Sequence, residues 1–217
     1  MDKKSRKKIS EDYDDLVKKH GSSMRALHYD DARYPKEHQE YKFQFVLDQL
    51  DETDSLLDVG CGLGHLAEYC RKGAWKGKYT GIDISGGMVK AASSRLKKTD
   101  DFYQIDILED VYDRKHDMVV SIGTLQQKPP YENSNVYLEL MIARMFEIST
   151  KCIVFDIFST KFSDYKNPDN IYVDPSTFLD TLYKFTNRLI FFNHYNPYQL
   201  MIVMYKEKIS GWNSERS

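Results

Sequence analysis

The sequence predicts an α/β fold, a doubly wound and mostly parallel sheet of seven strands that ends in an antiparallel hairpin. From residue 55 onward, short apolar runs alternate with segments of helical periodicity, which is typical of a parallel sheet covered by helices. A glycine-rich turn at 60–64 follows the first apolar run, as at nucleotide-binding corners. The last two apolar runs are joined only by residues 195–199, and so short a connection favours a hairpin.

The composition indicates a folded globular protein. The 217 residues are 41% hydrophobic and 29% charged, with a formal net charge of -2, and this charge gives no global attraction to nucleic acid or an anionic membrane. Cys61, Cys70 and Cys152 form no CxxC pair, so we expect reduced thiols, a cytoplasmic location and no bound metal. The longest apolar run, 200–204, is too short to span a bilayer, and we expect no membrane partner.

The first forty residues differ in pattern from the rest. A basic cluster at 3–8 leads into a stretch of helical spacing that is broken at 21–23. An amphipathic helix follows from residue 40, with apolar residues at Phe43, Val46, Leu47 and Leu50. We therefore expect an N-terminal arm and helical lid at 1–39, the α/β domain at 40–208 and a tail at 209–217.

The periodicity assigns the remaining elements. We predict seven strands, at 55–59, 78–82, 102–105, 117–122, 151–158, 188–194 and 200–205. We predict four covering helices, at 64–72, 86–97, 133–148 and 175–185.

The spacing of the glycines separates two classes of nucleotide cofactor. Dinucleotide sites use G-x-G-x-x-G, but His65 stands where the third glycine would fall. The frame here is G-x-G-x-G over 60–64, preceded by Asp58. At the end of the second strand, Asp83 offers a carboxylate that can accept hydrogen bonds from both hydroxyls of a ribose. The residues therefore favour a ribose-bearing cofactor other than a dinucleotide.

These segments resemble the class I S-adenosylmethionine-dependent methyltransferases. LLDVGCGLG at 56–64 is similar to their first motif, YTGIDIS at 79–85 to their second, and FYQID at 102–106 to their adenine-contacting segment. The resemblance spans about residues 40–206 and implies a Rossmann-like fold, with S-adenosylmethionine as methyl donor and S-adenosylhomocysteine as product. The cofactor-binding residues expected here are Asp58, Gly60, Cys61, Gly62, Gly64, Asp83, Ile84, Met88, Asp106, Ile107 and Ser121.

The resemblance implies a role for most of these residues. The glycines of 60–64 would border the methionine part of the cofactor and Asp83 would hold the ribose. Met88 would lie near the adenine, Asp106 would meet its amino group, and Ile107 would offer a backbone N–H to a ring nitrogen. Two alternatives stay open, since Met88 can be plain core filling and Asp106 can cap the turn that follows it.

A more diffuse likeness concerns the N-terminal region. The pattern from Tyr13 to Phe43, with the Asp-Pro pair at 174–175 and the His-Tyr pair at 194–195, resembles a bacterial subgroup of small-molecule methyltransferases. That subgroup includes phosphonate O-methyltransferases. The likeness implies that the N-terminal region closes over the cofactor, with Tyr29 and Lys42 as contacts.

The acceptor is less clearly indicated. The string KPPY at 128–131 is similar to the Asp/Asn-Pro-Pro-Tyr motif of amino-group methyltransferases, but lysine has no lone pair to accept from a target NH2. We predict His194 as a general base or substrate orienter, because imidazole exchanges protons near neutrality. The loop after the fifth strand and the hairpin supply the predicted substrate contacts, Lys161, Tyr165, Tyr195 and Tyr198.

The sequence thus predicts methyl transfer to oxygen of a small polar or anionic molecule, with nitrogen as the less favoured alternative. Two alternatives stay open. One is an RNA-modifying methyltransferase, which only the basic cluster at 3–8 favours. The other is a protein that binds S-adenosylmethionine without turnover. Neither the identity of the acceptor nor the oligomeric state follows from the residues.

Overall fold

The structure is a computed structural model that describes residues 3–21, 23–27, 36–96, 100–128, 133–161 and 166–207. The helices are α1 Lys3–His20, α2 Lys36–Leu47, α3 His65–Cys70, α4 Gly86–Arg95, α5 Ser134–Ile148 and α6 Pro175–Tyr183. The strands are β1 Leu56–Val59, β2 Tyr79–Asp83, β3 Asp101–Gln104, β4 His116–Ser121, β5 Ser149–Ser159, β6 Tyr172–Val173, β7 Leu189–Phe192 and β8 Gln199–Tyr205. A single 3-10 turn, Met24–Leu27, follows α1.

The strands form one sheet in the order β3-β2-β1-β4-β5-β8-β7, with β6 paired to β5. Neighbouring strands are parallel except at β8, which runs antiparallel to both β5 and β7. The predicted mostly parallel sheet with a closing hairpin is therefore confirmed. Two details differ from the prediction: β6 is an additional strand, and the reversed strand lies inside the sheet because the hairpin folds back against β5.

The element boundaries follow the periodicity closely. Each of the seven predicted strands and four predicted helices occurs within two residues of its expected bounds, as far as the described residues extend. Strand β6 escaped prediction because Tyr172–Val173 is too short to show an alternating pattern. Between β3 and β4 the chain makes turns without a helix.

Helices cover both faces of the sheet. Leu57 and Val59 of β1 pack on one side with α5 and α6, while Leu56 packs on the other side with α2 and α3. Successive side chains of a strand point to opposite faces, so a strand covered on both sides must be apolar at nearly every position. Asp58 is a charged residue within β1 and departs from this apolar pattern. Its role is therefore other than packing in the core.

Side-chain caps begin the helices near the carboxyl edge of the sheet. Ser85 accepts from the backbone N–H of Met88 and starts α4 directly after β2. Asp174 accepts from the N–H of Ser176 and starts α6, whose first residue is the proline that such a position favours. These short connections hold the strand ends and the helix starts close together at one edge.

Helix α1 lies within residues 1–39, the region for which an N-terminal arm and helical lid is expected. It packs against α4, with its apolar residues Tyr13, Leu16 and Val17 beside Met88. Residues 209–217, the expected tail, lie outside the described residues. Within the described ranges, no helix has the length and apolar character that crossing a membrane requires. The three cysteines are free thiols, and all are buried.

Candidate functional site

A cleft of about 810 Å³ opens at the carboxyl ends of β1 and β2. Parallel α/β sheets bind ligands at this edge, where strand ends and helix starts leave a crevice. The glycine turn after β1 and the end of β2 form its floor, and α1 forms its roof. The predicted cofactor-binding residues that line it are Asp58, Gly60, Cys61, Gly62, Asp83, Ile84, Met88, Asp106 and Ile107.

The glycine turn presents backbone to the cleft. Gly60 and Gly62 have φ angles of 76° and 52°, a region that side-chain-bearing residues rarely occupy. A Cβ on Gly60 would collide with the side chain of Thr124, and one on Gly62 would lie 2.9 Å from Leu27. Both positions therefore need glycine, and a ligand can approach the main chain of the turn directly.

Asp83 closes the floor of the cleft at the end of β2. Its Oδ2 accepts from the N–H of Gly62 at 2.9 Å and its Oδ1 from the N–H of Ser85 at 2.9 Å. Burial raises the pKa of this carboxyl, while the backbone donors act in the opposite direction. Because each carboxylate oxygen has a further lone pair, Asp83 can still accept from a ribose.

Asp58 is 4% exposed and also lines the cleft. Its Oδ2 accepts from the hydroxyl of Tyr79 at 2.5 Å. Burial raises the pKa of Asp58 to about 7, and the hydrogen bond from Tyr79 opposes that rise. The cleft thus holds a carboxyl group that changes charge close to neutral pH.

An apolar wall lies beside Asp83. It is formed by Ile105, Ile107, Leu108, Tyr137 and Met141. Such a surface suits a planar base, since ligand pockets are lined mostly by hydrophobic side chains. Asp106 lies in this wall, and its Oδ1 accepts from the N–H of Leu108 at 3.0 Å. Asp106 therefore caps the turn that follows it, which was one of the two roles considered for it. This holds whether or not its carboxylate also binds a ligand.

Helix α1 is fastened over the floor by side chains. Oδ1 of Asp14 accepts from the hydroxyl of Ser85 at 2.5 Å and from the N–H of Gly87 at 2.8 Å. The hydroxyl of Ser10 donates to the carbonyl of Ile84 at 3.1 Å. The α1 residues that line the cleft are Lys8, Ile9, Asp12 and Tyr13. Any ligand on the floor is therefore enclosed by α1.

The far end of the cleft is polar. Its walls carry Gln127, Lys128, Asn167, Asp169 and Asn170. Main-chain contacts hold this end together, since the N–H of Lys128 donates to the carbonyl of Asp169 at 2.8 Å and Gln127 pairs with Asn170 in an antiparallel bridge. Lys128 lies in a loop after β4, as expected, while residues 129–131 of the KPPY string lie outside the described residues.

Several predicted cofactor residues do not line the cleft. Lys42 is 3% exposed and its ammonium donates to Asp156 at 2.9 Å. Ser121 donates to the carbonyl of Val59 and so braces two strands. Gly64 starts α3, and a Cβ there would lie 2.8 Å from Leu96 of the neighbouring segment. Tyr29 lies outside the described residues.

The predicted acceptor residues also lie away from the cleft lining. Nε2 of His194 is 2.6 Å from the hydroxyl of Tyr41 on α2, and Tyr195 stacks on the same tyrosine ring at 5.4 Å. Lys161 pairs with Asp174, while Tyr198 follows in the hairpin. The hairpin residues lie away from the cleft because of the strand order, in which β4 and β5 separate β1 from the hairpin. Tyr165 lies outside the described residues.

Other residues that line the cleft were not predicted from the sequence. His65 begins α3 there, and burial, with a smaller contribution from Arg95, lowers its pKa to about 4, so the imidazole is neutral. The α1 residues that line the cleft lie on one face of that helix. Their spacing in the sequence could have shown this shared face if a ligand had been placed beneath the helix. No pattern in the sequence around Asn167 and Asn170 indicated that these residues line a site. Within the described ranges, no group of three or more His, Cys, Asp or Glu residues could hold a metal.

Comparison with known proteins gives a match for the segment that carries the floor of the cleft. A family model described as a methyltransferase domain matches residues 56–144. The malonyl-acyl-carrier-protein O-methyltransferase of Acetivibrio thermocellus is 35% identical over 86 residues, which are 37% of this chain and 30% of that protein. This chain therefore aligns with less than a third of that relative's length.

Solved structures share the fold over nearly the whole chain. The magnesium protoporphyrin IX methyltransferase of Synechocystis, with bound S-adenosylmethionine, superposes with a TM-score of 0.68, 14% identity and coverage of 95% of this chain and 98% of that one. The N-methyltransferase NodS of Bradyrhizobium japonicum, with bound S-adenosylhomocysteine, gives a TM-score of 0.63, 17% identity and coverage of 89% and 97%. Residues 56–144, which include the glycine turn and the carboxylate after β2, thus match a methyltransferase domain, and the chain shares its fold with methyltransferases solved with S-adenosylmethionine or S-adenosylhomocysteine bound.

Proposed function

We propose that the protein transfers the methyl group of S-adenosylmethionine to an oxygen of a small polar or anionic molecule, with a nitrogen as the alternative acceptor atom. The observation that carries this proposal is the arrangement of one cleft. Its floor joins a main-chain glycine turn to the carboxylate of Asp83, and a separate polar end lies beyond it. A methyl donor and a methyl acceptor can therefore bind side by side beneath α1.

The cofactor half of the cleft fits the donor's parts. The bare turn at Gly60 and Gly62 admits the amino-acid portion against the main chain. Asp83 would accept from the ribose hydroxyls, and the apolar wall with Ile107 and Met141 would cover the adenine. Asp58, where ionised, would favour the positively charged end of the cofactor.

The polar end supports a small polar acceptor. Lys8 and Lys128 both line the cleft, and both can bind an anionic group as point charges. Asn167 and Asn170 offer amide donors and acceptors in the same region. Asp12 and Asp169 also line the cleft, so the acceptor also encounters two carboxylates there. This mixture suits a molecule with both a charged and a neutral polar group.

The residues contribute by orientation and enclosure. The sulfonium of the bound cofactor supplies an already activated methyl group, so the acceptor atom gains the methyl and the sulfur keeps the bonding electron pair. The chain's task is to hold the acceptor atom in line with that methyl, which can supply a large share of the rate. Helix α1 would exclude water while the two lie together. His194 lies outside the cleft lining. An acceptor that is already anionic has no proton to lose, and a neutral acceptor would release its proton to solvent after the transfer.

A calorimetric titration tests the cofactor first. S-adenosylmethionine and S-adenosylhomocysteine should bind with micromolar affinity, while NAD and NADP should not. A screen of small phosphonates, carboxylates and phenols should then release S-adenosylhomocysteine with at least one acceptor. Release with none of them would favour the non-catalytic alternative, and salt-sensitive retention on RNA that is lost on deleting residues 1–8 would favour the RNA alternative.

A further inference from the structure

We propose that Tyr79 is a positioning residue for Asp58, and that its buried hydroxyl holds Asp58 as a carboxylate at the cleft and so sets the affinity for S-adenosylmethionine near neutral pH. This inference rests on the proposed function, because it takes Asp58 as part of the cofactor site. Tyr79 lies on the second strand and does not itself line the cleft.

The register of β1 and β2 brings the two side chains together. Tyr79 is paired with Leu56, and Asp58 lies two residues further along β1 on the same face of the sheet. The residue directly opposite Asp58 is Gly81, so no side chain stands between them there. The tyrosine hydroxyl reaches diagonally to Oδ2 of Asp58 at 2.5 Å. Both residues are almost completely buried, with 1% exposure for Tyr79 and 4% for Asp58.

Among the described residues, the other groups that act on Asp58 bring no positive charge. Asp83 lies on the same floor, and its charge raises the pKa of Asp58. Burial raises the pKa of the Cys70 thiol to about 12 and that of Cys61 well above its ordinary value, so both thiols are neutral. On the other side of β1, the partner of Asp58 is Val120 of β4. The hydroxyl of Tyr79 is therefore the group that favours the charged form of Asp58.

The direction of the pH response follows from these contacts. Burial raises the pKa of Tyr79 well above its ordinary value, so its hydroxyl keeps its proton and donates. Burial also raises the pKa of Asp58 to about 7, and Asp58 therefore gains its negative charge as the pH rises through neutrality. A cofactor with a sulfonium and an ammonium group is then bound more tightly at the higher pH.

The test is the pH dependence of S-adenosylmethionine binding by Tyr79→Phe, measured by calorimetry from pH 6 to pH 8. Loss of a hydrogen bond to a charged group should move the midpoint upward by about one pH unit or more. The affinity should then fall about fivefold or more at pH 7, and the loss should shrink at higher pH. Tyr205→Phe is the matched control, because its hydroxyl donates to Gln49 at 2.8 Å in another part of the protein.

Asp58→Asn provides the second measurement. Asparagine keeps the shape of the side chain but does not titrate. Asp58→Asn should therefore remove the pH dependence of S-adenosylmethionine binding, and the double variant with Tyr79→Phe should not regain it. An equal loss at every pH, an unshifted midpoint, or a pH-linked effect of Tyr79→Phe that persists beside Asp58→Asn would overturn the inference. No binding of S-adenosylmethionine by the wild type at any pH would overturn the proposed function, and this inference with it.

Discussion

Lys42 of α2 donates to Oδ2 of Asp156 at 2.9 Å, and the two side chains are only 4% and 0% exposed. The same carboxylate accepts from the N–H of Gly123, which lines the cleft, at 2.7 Å and from the side chain of Gln199 at 2.8 Å. One buried anion therefore joins α2, the loop after β4 and the strand β8. The cleft depends on this junction although Lys42 does not line it.

Lys42→Met should destabilise the fold by about 3 to 5 kcal/mol, because it leaves a buried carboxylate without its counter-charge. Urea denaturation measures the change. The control is Lys161→Met, which removes the pair with Asp174 where the side chains are 51% and 38% exposed, and it should cost less than about 1 kcal/mol. Equal effects of the two substitutions would show that the buried pair has no special role.

Gly60→Ala should destabilise the fold more than Gly21→Ala by about 1 to 3 kcal/mol. Both glycines have positive φ, so both substitutions carry the cost of a left-handed conformation. At Gly60 the new methyl group also collides with Thr124, whereas at Gly21 nothing lies within 4 Å. Thermal and urea unfolding of the two variants check the difference, and a smaller loss for Gly60→Ala would contradict the close approach of Thr124.

Asp14→Ala should weaken S-adenosylmethionine binding by about tenfold, because it releases α1 from the start of α4. The matched control is Asp15→Ala, one residue further along the same helix, whose exposed carboxylate contacts only Lys18 in the described structure. Calorimetry gives both affinities, and hydrogen exchange should show faster opening of α1 in the first variant alone. Identical affinities would mean that α1 does not contribute to binding.

Asp83→Ala should weaken S-adenosylmethionine binding by about 2 to 3 kcal/mol, since two hydrogen bonds to the ribose would be lost. The carboxylate also holds the N–H groups of Gly62 and Ser85, so the variant's unfolding must be measured beside its affinity. Asp101→Ala, which removes an exposed pair with Lys78, serves as the control. Unchanged affinity in a folded Asp83→Ala variant would remove Asp83 from the site.

His194→Ala should leave S-adenosylmethionine binding and methyl transfer unchanged, because the imidazole contacts Tyr41 away from the cleft lining. The expected cost is in stability, at about 0.5 to 1.5 kcal/mol for one hydrogen bond. Tyr41→Phe removes the other partner and should behave in the same way. A selective fall in turnover with intact cofactor affinity would instead restore His194 as a general base.

The features that the sequence predicted well have local causes. The strand at Leu56–Val59, the glycine turn and the carboxylate of Asp83 occur within thirty residues, and each is specified by its neighbours in the chain. Periodicity and turn chemistry are short-range signals, so they located the sheet and the floor of the cleft. The apolar runs at the two final strands likewise predicted the hairpin.

The features that the sequence did not predict depend on distant partners. Lys42 is paired with Asp156, 114 residues further along the chain, and nothing around Lys42 indicates that partner. His194 follows a strand that ends at the cleft's edge of the sheet, but the strand order separates it from the cleft. Asn167 and Asn170 reach the polar end through an irregular segment whose course has no periodic signal.

The position of β8 also governs how the chain can fold during synthesis. Strand β8 hydrogen-bonds to β5 on one side and to β7 on the other, yet the ribosome produces it after both. Until residues 199–205 emerge, the apolar edge of β5 is exposed and β7 has no neighbour in the sheet. Unpaired edges of this kind are where nascent chains aggregate. The cleft-bearing strands β1, β2 and β4 can pair earlier, so the unpaired edge of the half-built sheet persists until the final segment is made.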